Sequence, residues 1–205
     1  MRPPHRTVAL TAVLGGILLG VLDFIWIKYV PYPFGDLGNS SAVWAVAAFF
    51  FGFWVRSGRL RAAVGAAAGL VVAVPSYHVA AALIQGDEWA VLSAPPALLW
   101  MFFGVLAGVL FGIAGTWARG HGWREILGPA LPGAVLFAEG GLAIRRIGDP
   151  DYGTAPLWDA LIRITLGALV VVLASRTNRQ RALALATALP LALAGLAAFL
   201  LAGFR

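Results

Sequence analysis

Two carboxyl groups stand inside apolar runs of this sequence, and they are the residues most able to do chemistry. Glu139 lies in Leu136-Phe137-Ala138-Glu139-Gly140-Gly141-Leu142-Ala143-Ile144, and Asp23 lies in the first long apolar stretch. An acid so placed is costly unless it faces a protein interior, a wet cavity or a partner, so each marks a candidate site. The two glycines after Glu139 leave room beside the carboxyl for another backbone or a bound molecule. His78, Asp159 and Arg163 are further ionisable residues within apolar runs. The chemistry open to such a set is proton transfer in a dry chamber. An enclosed carboxylic acid can protonate an alkene or epoxide, and aromatic faces can stabilise the cation that results.

The elements that would position these groups are membrane helices. The chain of 205 residues is 60% hydrophobic and 12% charged, with a mean hydropathy of +0.85. A soluble domain carries about a quarter charged residues. Seven apolar spans, each near the ~20 residues a bilayer core requires, are expected at about 7–29, 40–55, 61–84, 93–117, 126–144, 155–174 and 180–203. Span two is short and should extend into Arg56. The whole reads as one transmembrane domain, an all-α bundle of seven helices. With one lysine among its fifteen basic residues, the composition suggests a GC-rich bacterial genome, hence a bacterial cytoplasmic membrane. The first span is too long, and too polar at Asp23 and Lys28, for a cleaved signal peptide. There is no cysteine, which excludes disulfides and thiolate chemistry.

Charge orients the bundle. The amino terminus and the loops after spans two, four and six hold Arg2, Arg6, Arg56, Arg59, Arg61, Arg119, Arg124, Arg176, Arg179 and Arg181. The opposite loops hold Asp36, Asp87, Glu88, Asp149 and Asp151, against Arg145, Arg146 and the terminal Arg205. The positive-inside rule then puts the amino terminus in the cytoplasm and the carboxyl terminus outside. The net charge of +6 is thus a topology signal and not a nucleic-acid footprint. Local residues agree with the spans. Asn39, Ser40 and Ser41 are good N-caps for span two, and Pro95 and Pro96 suit the first turn of span four. Pro75 should kink span three. Gly16 with Gly20, and Gly104, Gly108 and Gly112, form faces for close helix packing.

Depth brings the ionisable residues to one level. On a rise of ~1.5 Å per residue, Asp23, His78 and Glu139 lie about 24, 25 and 20 Å from the cytoplasmic edge. Asp159 and Arg163 lie roughly 6 and 12 Å below the outer edge. A shared cavity in the outer half of the core explains the coincidence. Trp26, on the Asp23 face, Trp44, near Asn39, and Tyr77 are expected among its walls. Asp159 and Arg163, four apart, are expected to pair with each other or anchor a carboxylate. Lys28 and Arg145 should snorkel to the interface, and Trp89, Trp117, Trp123 and Trp158 should form aromatic belts. No aspartate-rich diphosphate motif, metal-spaced histidine pair or nucleophilic serine motif is present. No metal and no cofactor is therefore expected.

The pattern Asn39-Ser40-Ser41-Ala42-Val43-Trp44, then Ala47-Ala48-Phe49, and later Phe137-Ala138-Glu139-Gly140, resembles a group of small bacterial membrane proteins largely of unknown function. Size, seven spans and paired intramembrane acids are similar to the membrane-bound terpene cyclases that finish meroterpenoids and indole terpenoids. That resemblance implies metal-independent, proton-initiated cyclisation of a prenyl chain on a lipophilic acceptor. By it, Glu139 and Asp23 would serve as general acid and as its partner or terminal base. Depth favours Glu139 as the acid. Trp26, Asn39, Trp44, Tyr77, His78, Asp159 and Arg163 would contact the substrate. The partner would be a prenylated small molecule reached from lipid. A proton-coupled carrier is the competing expectation, since such acids build proton relays. Against it, the inner half of the bundle is almost free of polar residues. A third is a non-catalytic assembly partner, whose polar residues hold helices together.

Overall fold

Glycine, proline and serine set the helix ends much as the sequence requires. The computed structural model describes residues 3–56, 58–201 and 203, with Asn39 described in its backbone alone. Among these residues the protein is all helical, without a strand. The helices are α1 (His5–Tyr29), α2 (Ser41–Val55), α3 (Arg59–Gln85), α4 (Pro95–Trp117), α5 (Trp123–Ile144), α6 (Ala155–Ala174) and α7 (Asn178–Leu201). Two 3-10 turns, Gly35–Asn39 and Trp89–Ser93, precede α2 and α4. All but α2 are long and apolar enough to cross a membrane, which suggests a multi-pass membrane protein. Arg2 and Arg205, used above for topology, lie outside the described residues.

Several ends have clear causes. Ser40 caps α2, its hydroxyl accepting from the Val43 N–H at 3.3 Å. The expected extension of α2 into Arg56 does not occur. Arg56 turns to a φ of 65° and closes the helix, its N–H still bonded to the Gly52 carbonyl at 3.2 Å. Helix α3 stops at Gly86, whose φ of 80° a side-chained residue would resist. It runs without a break through Pro75. Next to that proline, the Ser76 hydroxyl donates to the Val72 carbonyl at 2.8 Å.

The chain divides into two compact units, Met1–Thr116 and Trp117–Arg205. In the first, backbone packs on backbone. A Cβ on Gly16 would strike Gly69, and one on Gly20 would strike the Ala73 carbonyl and the Tyr77 backbone. Gly52 of α2 lies on Gly112 of α4, and Gly108 lies on Ala66 and Ala67 of α3. The small-residue faces read from the sequence are thus the seams of this unit. Such seams form because apolar side chains gain nothing by leaving lipid, so close van der Waals approach decides which helices associate.

In the second unit α5 is the central helix. Its Ala130 and Ala134 pack with Val171 of α6 and with Ala184, Ala188 and Ala192 of α7. Gly133 meets Val171, and Gly140 meets Ile164, so α5 and α6 also approach through glycines. Buried Gln180 ties one end together. Its side chain donates to the Glu125 carbonyl at 2.6 Å and accepts from the Arg176 N–H at 2.7 Å.

Candidate functional site

Asp23 is delivered to a cavity by the α1–α3 seam. Gly16 and Gly20 hold α1 against α3, and the next turn of α1 turns Asp23 inward, where it is 9% exposed. The Trp44 indole N–H of α2 donates to Asp23 Oδ2 at 3.1 Å. Around them lies a cavity of about 250 Å³, contained within the first unit. Tyr77 and His78 of α3 and Trp100 and Phe103 of α4 supply further aromatic walls. Leu70 and Val74 form the apolar floor, and Ser40 and Ser41 bring hydroxyls from the start of α2. Tyr77 is held by an edge contact on Phe24, with ring centroids 5.5 Å apart. His78 stands edge-on to Tyr77 at 5.4 Å.

Of the residues expected in a site, Asp23, Trp44, Tyr77 and His78 are brought together here. Trp26 does not line the cavity: it is 42% exposed and its indole donates to the Phe34 carbonyl at 2.7 Å. Ile27, four residues after Asp23 instead of three, takes that place on the wall. Asn39 ends the 3-10 turn Gly35–Asn39, and its side chain lies outside the described residues. Sequence reasoning passed over Trp100 and Phe103. Their signal was present, since they stand four and one residues before Gly104, which lies in the α3-facing row of small residues and itself lines the cavity.

Glu139, Asp159 and Arg163 form a second polar group, inside the second unit. Arg163 Nη1 lies 3.2 Å from Asp159 Oδ1, one helical turn away, as their spacing predicts. Across to α5, Arg163 Nε lies 3.4 Å from Glu139 Oε2. All three side chains are largely enclosed, at 12, 10 and 19% exposure for Arg163, Glu139 and Asp159. Gly140, beside the acid, makes room for Ile164 of α6, and Gly141 for Leu196 of α7. The room beside Glu139 is therefore filled by helix packing. Arg146 lies over the Tyr152 ring, 5.2 Å from its centroid. Among the described residues no three His, Asp or Glu side chains gather as metal ligands would.

Taken together these features define, among the described residues, an all-helical protein with six helices fit to cross a membrane and an acid-bearing aromatic cavity in its first unit. Over residues 2–204 the chain matches the family of unknown function DUF6518, and it belongs to that family. No curated protein and no solved structure matches it.

Proposed function

We propose that this protein is a membrane-bound, metal-independent cyclase that acts on a prenylated lipophilic substrate, with Asp23 as general acid. In this reading all seven helices span a bacterial cytoplasmic membrane, α2 being the shortest, with the amino terminus inside and the carboxyl terminus outside. The arginine asymmetry of the loops supports that orientation.

The observation that carries the reading is the cavity, where an enclosed carboxyl faces a wall of aromatic rings. Its volume of about 250 Å³ is just below the ~300–1,000 Å³ of pockets that enclose a whole small ligand. It suits the reacting end of a long chain whose remainder stays in lipid. The Asp23 carboxyl proton adds to one carbon of a terminal alkene, or to an epoxide oxygen. The next alkene then donates its π electrons to the cation and closes a ring. Faces of Trp44, Tyr77, Trp100 and Phe103 stabilise the positive charge as it moves. The carboxylate left on Asp23 removes a proton from the last cation, directly or through His78, which passes it on. With an alkene as starting group, product and substrate have one formula and the acid is restored. Glu139 has no reacting role in this scheme, because its carboxyl is engaged by Arg163.

The test supplies prenylated aromatic substrates to cells with the parent protein, with Asp23→Asn, or with neither, followed by mass spectrometry of lipid extracts. The expected result is an isomer of unchanged mass and new retention with the parent alone, and at least a hundredfold less of it with Asp23→Asn. Cyclisation at the parent rate by folded Asp23→Asn would remove the mechanism. No isomer from any substrate would favour the carrier or assembly reading.

A further inference from the structure

Among the described residues Asp23 has no partner of opposite charge. It is buried, its one hydrogen bond comes from a neutral indole, and no Lys, Arg or His of the described residues lies within ion-pair distance. Lys28, the nearest cation along α1, is engaged elsewhere: its ammonium donates to the Ile84 carbonyl at 3.3 Å and lies 5.8 Å from the Phe24 ring centroid. Buried charges are as a rule paired, because taking a lone one out of water is costly. An entrant that carries a positive charge would supply that pairing by taking the carboxylate form of Asp23.

The walls show what the entrant should be. Trp44, Tyr77, Trp100 and Phe103 present aromatic surface around the carboxyl. Ring faces attract a cation held within ~6 Å, most strongly where water is excluded. Ser40, Ser41, Tyr77 and His78 bring polar groups to the walls, but most of the lining surface is apolar. One of them, Ser40, already spends its hydroxyl oxygen on the Val43 N–H. A ligand needing several hydrogen bonds would be served poorly, whereas a quaternary or tertiary ammonium needs none or one. We propose that the cavity is a binding site for lipophilic organic ammonium ions, with Asp23 as counter-ion, the four aromatic residues as cage and the apolar floor at Leu70 and Val74 taking the alkyl chain. The inference uses the cavity of the cyclisation reading but does not depend on turnover: a stable cation and a transient one are held by the same surfaces.

The experiment is calorimetric titration of the full chain in an uncharged detergent with three six-carbon probes, hexyltrimethylammonium, hexanol and hexanesulfonate. The ammonium should bind at least tenfold more tightly than hexanol, and the sulfonate more weakly than either. Asp23→Asn should bring the ammonium down to the hexanol level while leaving hexanol unchanged. Trp100→Leu, at a half-exposed position, should weaken the ammonium three- to tenfold and hexanol less. Equal affinity for the three probes in the parent protein overturns the inference without any variant being needed. So does a charge preference that survives Asp23→Asn. Charge-selective binding without any cyclised product would uphold the site and defeat the cyclase. Turnover without charge-selective binding would do the reverse.

Discussion

Asp23 and Glu139 are both enclosed carboxyls on apolar helices, yet they meet opposite surroundings. Glu139 faces an arginine that also holds Asp159, within a unit whose glycines are filled by neighbouring side chains. Asp23 faces an indole and open space. The difference separates two uses of one residue type. A carboxyl locked to a guanidinium joins helices, and removing its partner strands a charge. A carboxyl with an empty side is available to something that comes and goes.

The comparison breaks first, and hardest, at Arg163. Arg163→Met takes the guanidinium from between the enclosed Glu139 and Asp159, and the loss should be about 3–5 kcal/mol, read as a large fall in the thermal unfolding midpoint in detergent. Replacing all three, as Arg163→Met with Glu139→Gln and Asp159→Asn, should recover most of it, since a buried ionic group replaced as a whole is often close to neutral. An unchanged midpoint for Arg163→Met would mean the cluster is not what holds α5 to α6.

A smaller effect tests the seam that aims Asp23. Gly20→Leu would push α1 off the Ala73 carbonyl, costing roughly 1–3 kcal/mol and weakening probe binding in the cavity. Gly15→Leu, where a Cβ would meet nothing within 4 Å, is the control and should do neither. Equal behaviour of the two would show that the seam does not set the cavity.

Smaller again is the change at Gln180 in the second unit. Gln180→Leu strands the Arg176 N–H and the Glu125 carbonyl, and about 1–2 kcal/mol should be lost by the same thermal measurement. Least of all should come from Asp23→Asn, which keeps an acceptor for the Trp44 indole and should stay within ~1 kcal/mol of the parent. Were Asp23→Asn as damaging as Arg163→Met, the two acids would be alike and the contrast would fail.

Helix bounds were legible because apolar runs end where glycine, proline or charge intervenes: Gly86 after α3 and Pro95 at the start of α4 needed no tertiary information. The Asp159–Arg163 contact was legible for a similar reason, being local to one helix face. Contacts between helices were not. Glu139 lies 24 residues from Arg163 and Trp44 lies 21 from Asp23, and each pairing depends on how two helices rotate about their axes. Periodicity does not set that rotation when every face is apolar, as the nearly uniform hydrophobicity of α3 illustrates. The choice of Trp26 for the wall failed for this reason. Three residues and four residues from Asp23 are both nearby positions on a helix, and packing selected Ile27.

The brevity of α2 has a consequence for the surrounding lipid. Its 15 residues reach about 22 Å, whereas a hydrocarbon core is ~30 Å thick. If α2 spans the bilayer as proposed, the shortfall would leave the Gly35–Asn39 turn and Ser40 at a depth where irregular backbone is tolerated only if shielded by protein or facing a hollow. Gly38 and Ser40 do face one. Acyl chains alongside the first unit would have to shorten or tilt to match, so thin membranes should accommodate it with less deformation than thick, sterol-stiffened ones. On that reading bilayer thickness would act on the turn that borders the cavity, and short-chain lipid should ease entry where long-chain lipid hinders it.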